Sequence, residues 1–409
     1  MPAASRLQWR ARSTVRGQSS GKNDPDLLEY MNLEYALSEI RVERVKTKAG
    51  LKTFIRFPWK VYAGDPNWAP PLIMDVKDKL NVRKNPFFEH AERELFLARR
   101  GGEITGRILG IVDRNHNDFH SEKVVFYGMY ESLNDRETAA VLLDAVAAWG
   151  KERGMDTLRG TVNLSLNDEC AFLAEGFDSP PAVMMPYHPR YYLDLMEAYG
   201  QVKARDFYAF LMTRDQETDA KVKAVVQRIQ AATTVTCRPI RLKDWKEEAD
   251  RIISIYNHAW EKNWGFVPWT ENEMKHMVKS LKSIADPDLV IMAEDKGRPV
   301  GFGFGLPNYN EILVKMNGRL FPFGIFRFLL GRKKIKSMRM LVFGILKEYR
   351  ASGISYLLAT EMVKRGMRKG YQWAELSWTL EDNDAVNKFA ASLGGRIYKK
   401  YRIYEKKIG

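Results

Sequence analysis

The 409-residue chain contains few cysteines and no long apolar run, and each shortage excludes a class of protein. Its two cysteines, Cys170 and Cys237, are too few for a disulfide-rich scaffold or a multi-cysteine zinc site. The longest apolar stretch, residues 320–330, is interrupted by Arg327 and is too short to cross a bilayer, which takes roughly 20 residues. No apolar segment follows the N-terminal charges, as a secretory signal would require. We therefore expect a globular cytoplasmic protein rather than an integral membrane protein.

Acidic residues are nearly absent from two short segments, and these segments carry most of the net charge of +14. Residues 1–22 contain five basic residues and no acid, whereas residues 311–339 contain eight basic residues and Glu311 as their one acid. A nucleic acid is not favoured as a partner, because its binding surface is typically a basic groove with stacking aromatic side chains. We interpret residues 1–24 as a disordered basic leader, with an organelle transit peptide as the alternative.

An internal repeat runs through most of the chain. Residues 95–115 align with residues 290–310 at a constant offset of 195, and both copies have the pattern of a β-hairpin with a glycine-containing turn. Farther along the offset is 216, so that residues 167–168 align with 383–384. The chain is therefore predicted to contain two copies of one fold. The increase in offset places 21 additional residues in the second copy.

The repeat and the composition together predict the domain boundaries. An N-terminal domain covers residues 40–212, a polar linker helix covers 213–232 and a C-terminal domain covers 233–409. The C-terminal domain carries the basic and aromatic insertion at 311–339. Each copy is predicted to run through helices, a hairpin, a further strand, a helix, a strand, a helix and final strands.

The clearest chemical motif is Tyr-Arg-Ala-Ser-Gly-Ile-Ser at residues 349–355, between a predicted strand and a predicted helix. The first N–H groups of a helix have no intrahelical acceptor, and together with the helix dipole they can bind a phosphate. The glycine at position 353 would let a pyrophosphate approach the backbone closely. The alternative for this segment is an ordinary glycine-containing turn at a helix start.

Residues 341–395, which include this motif, resemble motifs A and B of the GNAT N-acetyltransferase superfamily. The close resemblance covers residues 286–405, and the hairpin repeat extends it more weakly to 40–212. As a whole, the chain resembles bacterial tandem GNAT proteins. The resemblance implies an α/β (α+β) fold with two tandem GNAT-like domains, each with a mixed, largely antiparallel central sheet flanked by helices.

The resemblance also implies acetyl-CoA or a longer acyl-CoA as co-substrate, without a metal. By position in the family motifs, the CoA-contacting residues are Ile345, Arg350, Ala351, Ser352, Gly353, Ile354, Ser355, Asn383 and Phe389. Asn383 has a second interpretation as the cap of the helix that follows it. Phe389 departs from the family pattern, because it stands where a Tyr usually acts as general acid toward the departing thiolate, and a phenyl ring cannot donate a proton.

The N-terminal copy lacks this motif. At the offset of 216, Asn134 aligns with Arg350 and Glu137 with Gly353. Asn134 and Glu137 have the spacing of a helix-capping box, and a carboxylate at this place would repel a phosphate. We therefore predict a degenerate N-terminal domain with a structural or substrate-shaping role, and a single CoA site in the C-terminal domain.

Candidates for proton transfer lie on the strands after the CoA motif. Glu375 and Ser377 are two residues apart on a predicted strand and therefore on one face, where Glu375 can accept the amine proton directly or through water. A salt-bridged or edge-exposed Glu at this position is the alternative. Tyr401 and Tyr404 are candidate donors to the thiolate, and we select Tyr404, although alternating tyrosines on a strand also occur as packing residues.

Two aromatic residues are candidates for contact with the acceptor substrate. Tyr256 and Trp264 lie between the first two helices of the C-terminal domain, a region that lines the acceptor pocket in the GNAT fold, and packing in the core is the alternative. His116 and His120 have a helical metal-binding spacing, but the Asn-rich segment around them is predicted to be a loop. We therefore predict no metal site.

The insertion at 311–339 mixes phenylalanines and leucines with lysines and arginines. Such segments bind membrane surfaces or acidic partners, including acyl carrier proteins. The interpretation that we favour is a lid whose apolar face packs on the domain while its basic face is in water.

These observations predict an acyl-CoA-dependent N-acyltransferase that transfers an acetyl or longer acyl group to a small-molecule or peptidyl amine. One alternative is a non-catalytic GNAT-fold binding protein. The other is a transferase that takes its acyl group from an acyl carrier protein or from an aminoacyl-tRNA.

Overall fold

The computed structural model describes residues 39–213, 216–260 and 263–409. Within these ranges, 13 strands form one continuous sheet, which 13 helices flank. The predicted leader at 1–24 lies outside the described residues. None of the helices in these ranges is long and apolar enough to span a membrane.

The N-terminal half begins with a strand and three short helices, continues with a hairpin and then alternates strands and helices. Its elements are β1 (Ile40–Arg44), α1 (Lys48–Arg56), α2 (Pro58–Val61), α3 (Ile73–Lys79), β2 (Ala91–Arg100), β3 (Glu103–Asp113), α4 (Arg114–His120), β4 (Val124–Ser132), α5 (Arg136–Lys151), β5 (Thr157–Gly160), β6 (Phe172–Glu175), α6 (Tyr191–Ala198) and β7 (Val202–Thr213).

The C-terminal half repeats this order from a hairpin through strand, helix, strand and helix to a final strand, which confirms the predicted tandem fold. Its elements are α7 (Gln216–Ala232), β8 (Val235–Pro239), α8 (Trp245–Trp260), α9 (Glu271–Lys282), β9 (Val290–Asp295), β10 (Arg298–Pro307), α10 (Asn310–Met316), α11 (Gly324–Gly331), β11 (Ser337–Ile345), a 3-10 helix (Lys347–Ser352), α12 (Ile354–Arg368), β12 (Trp373–Leu380), α13 (Asp384–Ser392) and β13 (Arg396–Lys407).

The glycine-rich second strands of the two hairpins, β3 and β10, leave room for the helix that packs across them. On β3, a Cβ at Gly106 would lie 2.6 Å from Leu142 Cδ1 of α5. On β10, a Cβ at Gly303 would lie 2.9 Å from Met362 Cε of α12. The buried face of α12 carries Leu358 and Met362, as the helical spacing predicts. The repeated glycines therefore reflect the same helix-on-strand contact in both halves.

The final strand of each half lies next to strands of the other half. The strand order is β1-β2-β3-β4-β5-β13-β7-β12-β11-β10-β9-β8, and β6 also pairs with β13. β13, from the C-terminal half, pairs with β5, so that Tyr404 is opposite Gly160. β7, from the N-terminal half, pairs with β12, so that Met212 is opposite Ala374. The two halves are therefore joined by exchanged strands, a feature that the repeat alone does not predict.

A splay between two parallel strands occurs in each half. β11 and β12 pair over four residues each and then diverge, and β4 and β5 do the same. In the N-terminal half the chain fills the resulting gap, because Asn163 Oδ1 accepts from the N–H of Met129 at 2.9 Å and Val162 lies against Gly128. The gap in the C-terminal half opens into a cleft.

The start of α5 differs from the prediction. The helix is capped by Asp135 rather than by Asn134, because the Asp135 carboxylate accepts from the N–H of Glu137 and also binds Arg100 at 3.0 Å. Glu137 binds the same guanidinium at 2.7 Å. Glu137 is the second residue of α5, and Ser355 is the second residue of α12. The acid of the N-terminal copy therefore corresponds to Ser355 rather than to Gly353.

Candidate functional site

The gap between β11 and β12 widens into an open cleft. Its walls come from both halves of the chain. The lining residues are Leu166, Asn167, Asp168, Glu169, Met184, Tyr256, Asn263, Trp264, Gly265, Phe266, Arg339, Leu341, Val342, Ser377 and Trp378. The cleft therefore brings together segments that are far apart in the sequence.

A β-bulge in β11 shapes one wall of the cleft. Phe304 of β10 is opposite Val342, and the next residue, Gly305, is opposite Met340, so that Leu341 has no partner on β10. A bulge bends its strand and redirects its side chains. As a result, the consecutive residues Leu341 and Val342 both line the cleft, which the alternating faces of a regular strand would not allow.

The predicted CoA motif follows β11 and forms the 3-10 helix and the first turn of α12. The N–H groups of Gly353, Ile354 and Ser355 donate to no acceptor among the described residues. The exposed Arg350 lies in the same turn, with its Nε 3.4 Å from the carbonyl oxygen of Ile345. Unpaired N–H groups at the positive end of a 15-residue helix, close to an exposed guanidinium, fit the pyrophosphate of CoA.

The linker helix α7 packs directly against this motif. Gly353 has a φ of +79°, and a Cβ there would lie 2.6 Å from Ile229 Cδ1 of α7. Thr218, near the start of α7, lies against Gly394 at the end of α13. Gly353 is therefore required by its left-handed backbone and by its contact with α7, and not only by the approach of a phosphate.

Glu375 lies behind the cleft wall rather than in it. Its carboxylate is fully buried and accepts hydrogen bonds from the hydroxyls of Ser377 and Tyr398. The Nε of Arg339 is 3.7 Å from the Glu375 carboxylate and donates to Ser377 Oγ at 2.8 Å. Arg339 and Ser377 line the cleft, whereas Glu375 does not. Glu375 therefore balances the charge of Arg339 and orients Ser377. These two side chains separate the Glu375 carboxylate from the cleft.

Tyr404, the predicted proton donor, lies outside the cleft. At this point β13 pairs with β5, and the Tyr404 ring packs in the core of the N-terminal half. Its hydroxyl donates to Glu197 at 2.9 Å, and burial together with this hydrogen bond raises the pKa of Tyr404 to about 12. Tyr401 is also buried in a core cluster. The exchange of strands, which the sequence pattern does not reveal, carries Tyr404 away from the predicted site.

Asn383 immediately precedes α13, which neighbours α12, and Phe389 lies on that helix. Asn383 caps α13 by accepting from the N–H of Val386 at 3.3 Å, as its alternative interpretation predicts. Phe389 packs edge-on against Tyr356 of α12, with 5.1 Å between the ring centroids. Tyr356, which the sequence pattern does not single out, therefore brings a phenolic hydroxyl close to the Phe that replaces the usual Tyr of the family.

Two carboxylates from the N-terminal half line the cleft and were not predicted as site residues. Asp168 forms an ion pair with Lys79 at 2.8 Å. Glu169 accepts from Asn163 Nδ2 at 3.3 Å, and no cation of the described chain lies within ion-pair distance of it, while Lys79 and Arg339 attract it from farther away. The repeat drew attention to residues 167–168, but it gave no reason to place them in a cleft of the other half.

Both residues predicted to contact the acceptor, Tyr256 and Trp264, line the cleft. The Trp264 ring lies near two guanidinium groups of the N-terminal half, at 5.6 Å from Arg159 and 5.5 Å from Arg205. Burial raises the pKa of Tyr256. The position of these rings agrees with an acceptor pocket, and their contact with an acceptor stays a prediction.

A second, polar pocket shares the wall at residues 263–265 with the cleft and contains the histidine pair. These histidines lie on helix α4 rather than on a loop, because Asp113 caps the helix by accepting from the N–H of His116. His116 Nε2 is 3.1 Å from Glu122, while His120 Nε2 is 2.9 Å from a backbone carbonyl oxygen. No group of three or more His, Cys, Asp or Glu side chains suited to a metal occurs in the part of the chain that the structure describes.

Two bacterial proteins are similar to this chain over almost its whole length. It is 37% identical to the bacterial ceramide synthase of Caulobacter vibrioides (strain NA1000 / CB15N) over 380 residues, which are 91% of this chain and 98% of that protein. It is 35% identical to protein YghO of Escherichia coli (strain K12) over 369 residues, which are 88% of this chain and 94% of that protein. No protein-family model matches the chain.

A solved structure has a similar arrangement of both halves. It is the tandem GNAT protein from the clavulanic acid biosynthesis pathway, with a TM-score of 0.56 and 12% sequence identity over 91% of this chain and 99% of that one. At this identity the likeness establishes the fold, whereas the identity to the two bacterial proteins establishes the family. The chain therefore has the tandem GNAT fold and belongs to the family that includes YghO and the bacterial ceramide synthase of C. vibrioides.

Proposed function

We propose that this protein is an acyl-CoA-dependent N-acyltransferase with one CoA site, formed by the C-terminal half. The difference between the two splayed strand pairs is the observation that carries this proposal. The N-terminal gap is filled by residues 162–163, whereas the C-terminal gap opens into the cleft. The turns next to the two gaps also differ. The N-terminal turn carries the carboxylates of Asp135 and Glu137, which would repel a phosphate, whereas the C-terminal turn at 353–355 carries none.

The turn after β11 supports acyl-CoA as the acyl donor. The N–H groups of residues 353–355 and the guanidinium of Arg350 would hold the pyrophosphate through charge-assisted hydrogen bonds. When bound, the thioester supplies an activated acyl group. The bulge at Leu341 and the splay of β11 from β12 give the acyl group a route from this turn into the cleft.

The carboxylates of the cleft support an amine as the acceptor. An alkyl amine is mostly protonated at neutral pH and has to lose a proton before it can attack a thioester. Glu169 lines the cleft without a paired cation, so its carboxylate can attract the ammonium group and take the proton. Asp168 already forms an ion pair with Lys79. We therefore assign the base to Glu169 and a positioning role to Glu375.

The apolar side chains of the cleft support an acceptor with a long hydrocarbon chain. Much of the lining is contributed by Leu166, Met184, Leu341, Val342 and Trp378. The related protein of C. vibrioides is named a ceramide synthase, and a ceramide is an N-acylated long-chain amino alcohol. We therefore propose a long-chain amino alcohol as acceptor and a long-chain acyl-CoA as donor.

Titration calorimetry with a long-chain acyl-CoA tests the CoA site. We expect saturable binding by the wild type and at least about tenfold weaker binding by Ser355→Glu, because the introduced carboxylate repels the pyrophosphate and competes for the N–H groups, and each hydrogen bond to a charged group contributes about 1.5–3 kcal/mol. This substitution gives α12 the acid that Glu137 gives α5, and an acid in the first turn of a helix is stabilising. Ser280→Glu, at an exposed position of α9, is the matched control and should bind like the wild type.

The transfer reaction is tested by incubating the protein with acyl-CoA and a long-chain amino alcohol. We expect one free thiol for each amide formed, measured by a thiol reagent and by mass spectrometry of the lipid product. Absence of acyl-CoA binding by the wild type would refute the proposed donor. Acyl-CoA binding without amide formation from long-chain amino alcohols would refute the proposed acceptor class.

A further inference from the structure

The insertion carries a cluster of apolar side chains that face water. Phe321 is 66% exposed, Phe323 74%, Phe326 63%, Leu329 47% and Leu330 73%. The other exposed large apolar side chains of the described ranges are scattered along the chain. Soluble proteins rarely expose a contiguous apolar patch unless the patch binds something. The favoured lid interpretation, with the apolar face packed on the domain, is therefore wrong for these five side chains.

The opposite side of the insertion is anchored on both halves of the molecule. Phe328 of α11 stacks on Tyr309, with 5.3 Å between the ring centroids. In the turn between α10 and α11, Asn317 Oδ1 accepts from Trp59 Nε1 at 2.6 Å, and Gly318 packs against the same indole. These contacts hold α11 in place while its Phe326, Leu329 and Leu330 side chains are directed to solvent.

Basic side chains accompany the apolar cluster. The exposed basic residues of this part of the insertion are Arg319, Arg327, Arg332, Lys333 and Lys334. None of them lies within ion-pair distance of an acid among the residues that the structure describes. Glu311, the one acid between 311 and 339, instead accepts from the N–H of Lys336 at 3.0 Å. The positive charge is therefore available to an external anionic surface.

We propose that residues 319–334 form a membrane-docking surface. Their exposed phenylalanines and leucines enter the acyl boundary of a bilayer, and their basic side chains bind the phosphates of anionic lipids. Amphipathic segments of this composition lie in the plane of the interface, and anionic headgroups attract basic residues near the surface. An acidic protein would neutralise the charges but would leave the phenyl rings in water, so the bilayer is the occupant that accounts for both properties.

Docking through this surface would hold the cleft near the bilayer. Asn310, at the start of α10, donates to the carbonyl oxygens of Pro181 and Ala182 at 3.0 Å. Two residues later, Met184 lines the cleft. A short, hydrogen-bonded segment therefore connects the insertion to the cleft wall. Membrane docking goes beyond the proposed acyl transfer and does not depend on it.

Co-sedimentation of the full chain with vesicles tests the docking surface. The probes are vesicles of phosphatidylcholine alone and vesicles that also contain about one-third phosphatidylglycerol. We expect binding to the anionic vesicles that weakens as salt is added, and much weaker binding to the neutral ones. Phe323→Ser/Phe326→Ser/Leu330→Ser should bind the anionic vesicles at least about tenfold more weakly, because the inserted apolar area is lost.

The matched control is Met74→Ser/Val82→Ser/Val202→Ser, which removes exposed apolar side chains outside the insertion. It should bind vesicles like the wild type, and thermal unfolding should show that both triple variants are folded. Failure of the wild type to sediment with anionic vesicles would overturn the proposal. Equal loss of binding in the two triple variants would also overturn it, because the effect would not belong to the insertion.

The basic side chains are tested separately by Arg332→Gln/Lys333→Gln/Lys334→Gln. This variant should lose most of the preference for anionic over neutral vesicles, whereas Lys46→Gln/Lys48→Gln/Lys52→Gln, at exposed lysines elsewhere, should keep it. Binding that needs these basic residues but survives the loss of the apolar side chains would overturn the bilayer as occupant and would indicate an acidic macromolecule instead.

Discussion

Glu169 and Glu375 both lie close to the cleft, but their surroundings give them different chemistry. Glu169 lines the cleft and receives a hydrogen bond from Asn163. Glu375 is fully buried, and Arg339 and Ser377 stand between it and the cleft. A substrate can therefore exchange a proton with Glu169. Glu375 instead holds the wall residues Arg339 and Ser377 in position.

Glu169→Gln should lower kcat by roughly 10²–10⁴-fold, the usual contribution of a general base. The temperature of unfolding should stay close to that of the wild type, because Glu169 forms no ion pair within the described chain. Steady-state kinetics between pH 5 and 9, alongside thermal unfolding, provide the measurement. Full turnover in this variant would show that another group accepts the proton.

Glu375→Gln should instead lower the free energy of unfolding, by about 3–5 kcal/mol, because it leaves the buried charge of Arg339 without its carboxylate. Ser377→Ala removes a hydroxyl without exposing a charge and should cost less, about 1–3 kcal/mol. Urea unfolding of both variants tests the difference. Equal stability of Glu375→Gln and the wild type would mean that Arg339 is balanced by other groups.

At the scale of elements, the contact between α7 and the start of α12 fixes the shape of the CoA motif. Gly353→Ala should lower the free energy of unfolding by more than the roughly 1–2 kcal/mol that a left-handed residue with a Cβ costs, because its Cβ also meets Ile229. Removing the obstructing side chain in Ile229→Ala/Gly353→Ala should recover part of that loss. A double-mutant cycle by denaturant unfolding measures the coupling, and strict additivity would contradict the contact.

The helices and strands themselves were largely predictable from the sequence, because the spacing of apolar residues and glycines within one segment depends on which of its residues are buried. The hairpins, the glycines under the packed helices and the apolar face of α12 all follow from spacing along a single segment. The cleft was predictable only in part. Tyr256 and Trp264 belong to the half that carries the CoA motif, but Asp168 and Glu169 reach the cleft from the other half. No periodicity in one segment encodes such a contact.

At the scale of the whole molecule, a charged cluster adds a further connection between the halves. His90 Nδ1 is 2.8 Å from Asp113, and its Nε2 is 3.2 Å from Glu273 of α9. Burial lowers the pKa of His90, but the two carboxylates outweigh this effect and raise it to about 9. The imidazole is therefore positively charged in the folded protein at neutral pH.

This cluster should make stability depend on pH. The raised pKa of His90 contributes stability in full below the ordinary histidine pKa of about 6.5, and the contribution is lost as the pH rises through about 9. The unfolding temperature of the wild type should therefore fall as the pH rises between these values. His90→Gln should be less stable near pH 6 and should show a flatter profile over the same interval, and equal slopes would contradict the role of His90.

The exchanged strands set an order of events during protein synthesis. The ribosome finishes β5 and β7 long before it makes β13, the strand that lies between them. Until that strand leaves the exit tunnel, both neighbours keep unpaired backbone edges, which can pair with other nascent chains. The half that is made first is therefore the last to be completed, and its unfinished sheet is the form that the cell has to protect from aggregation.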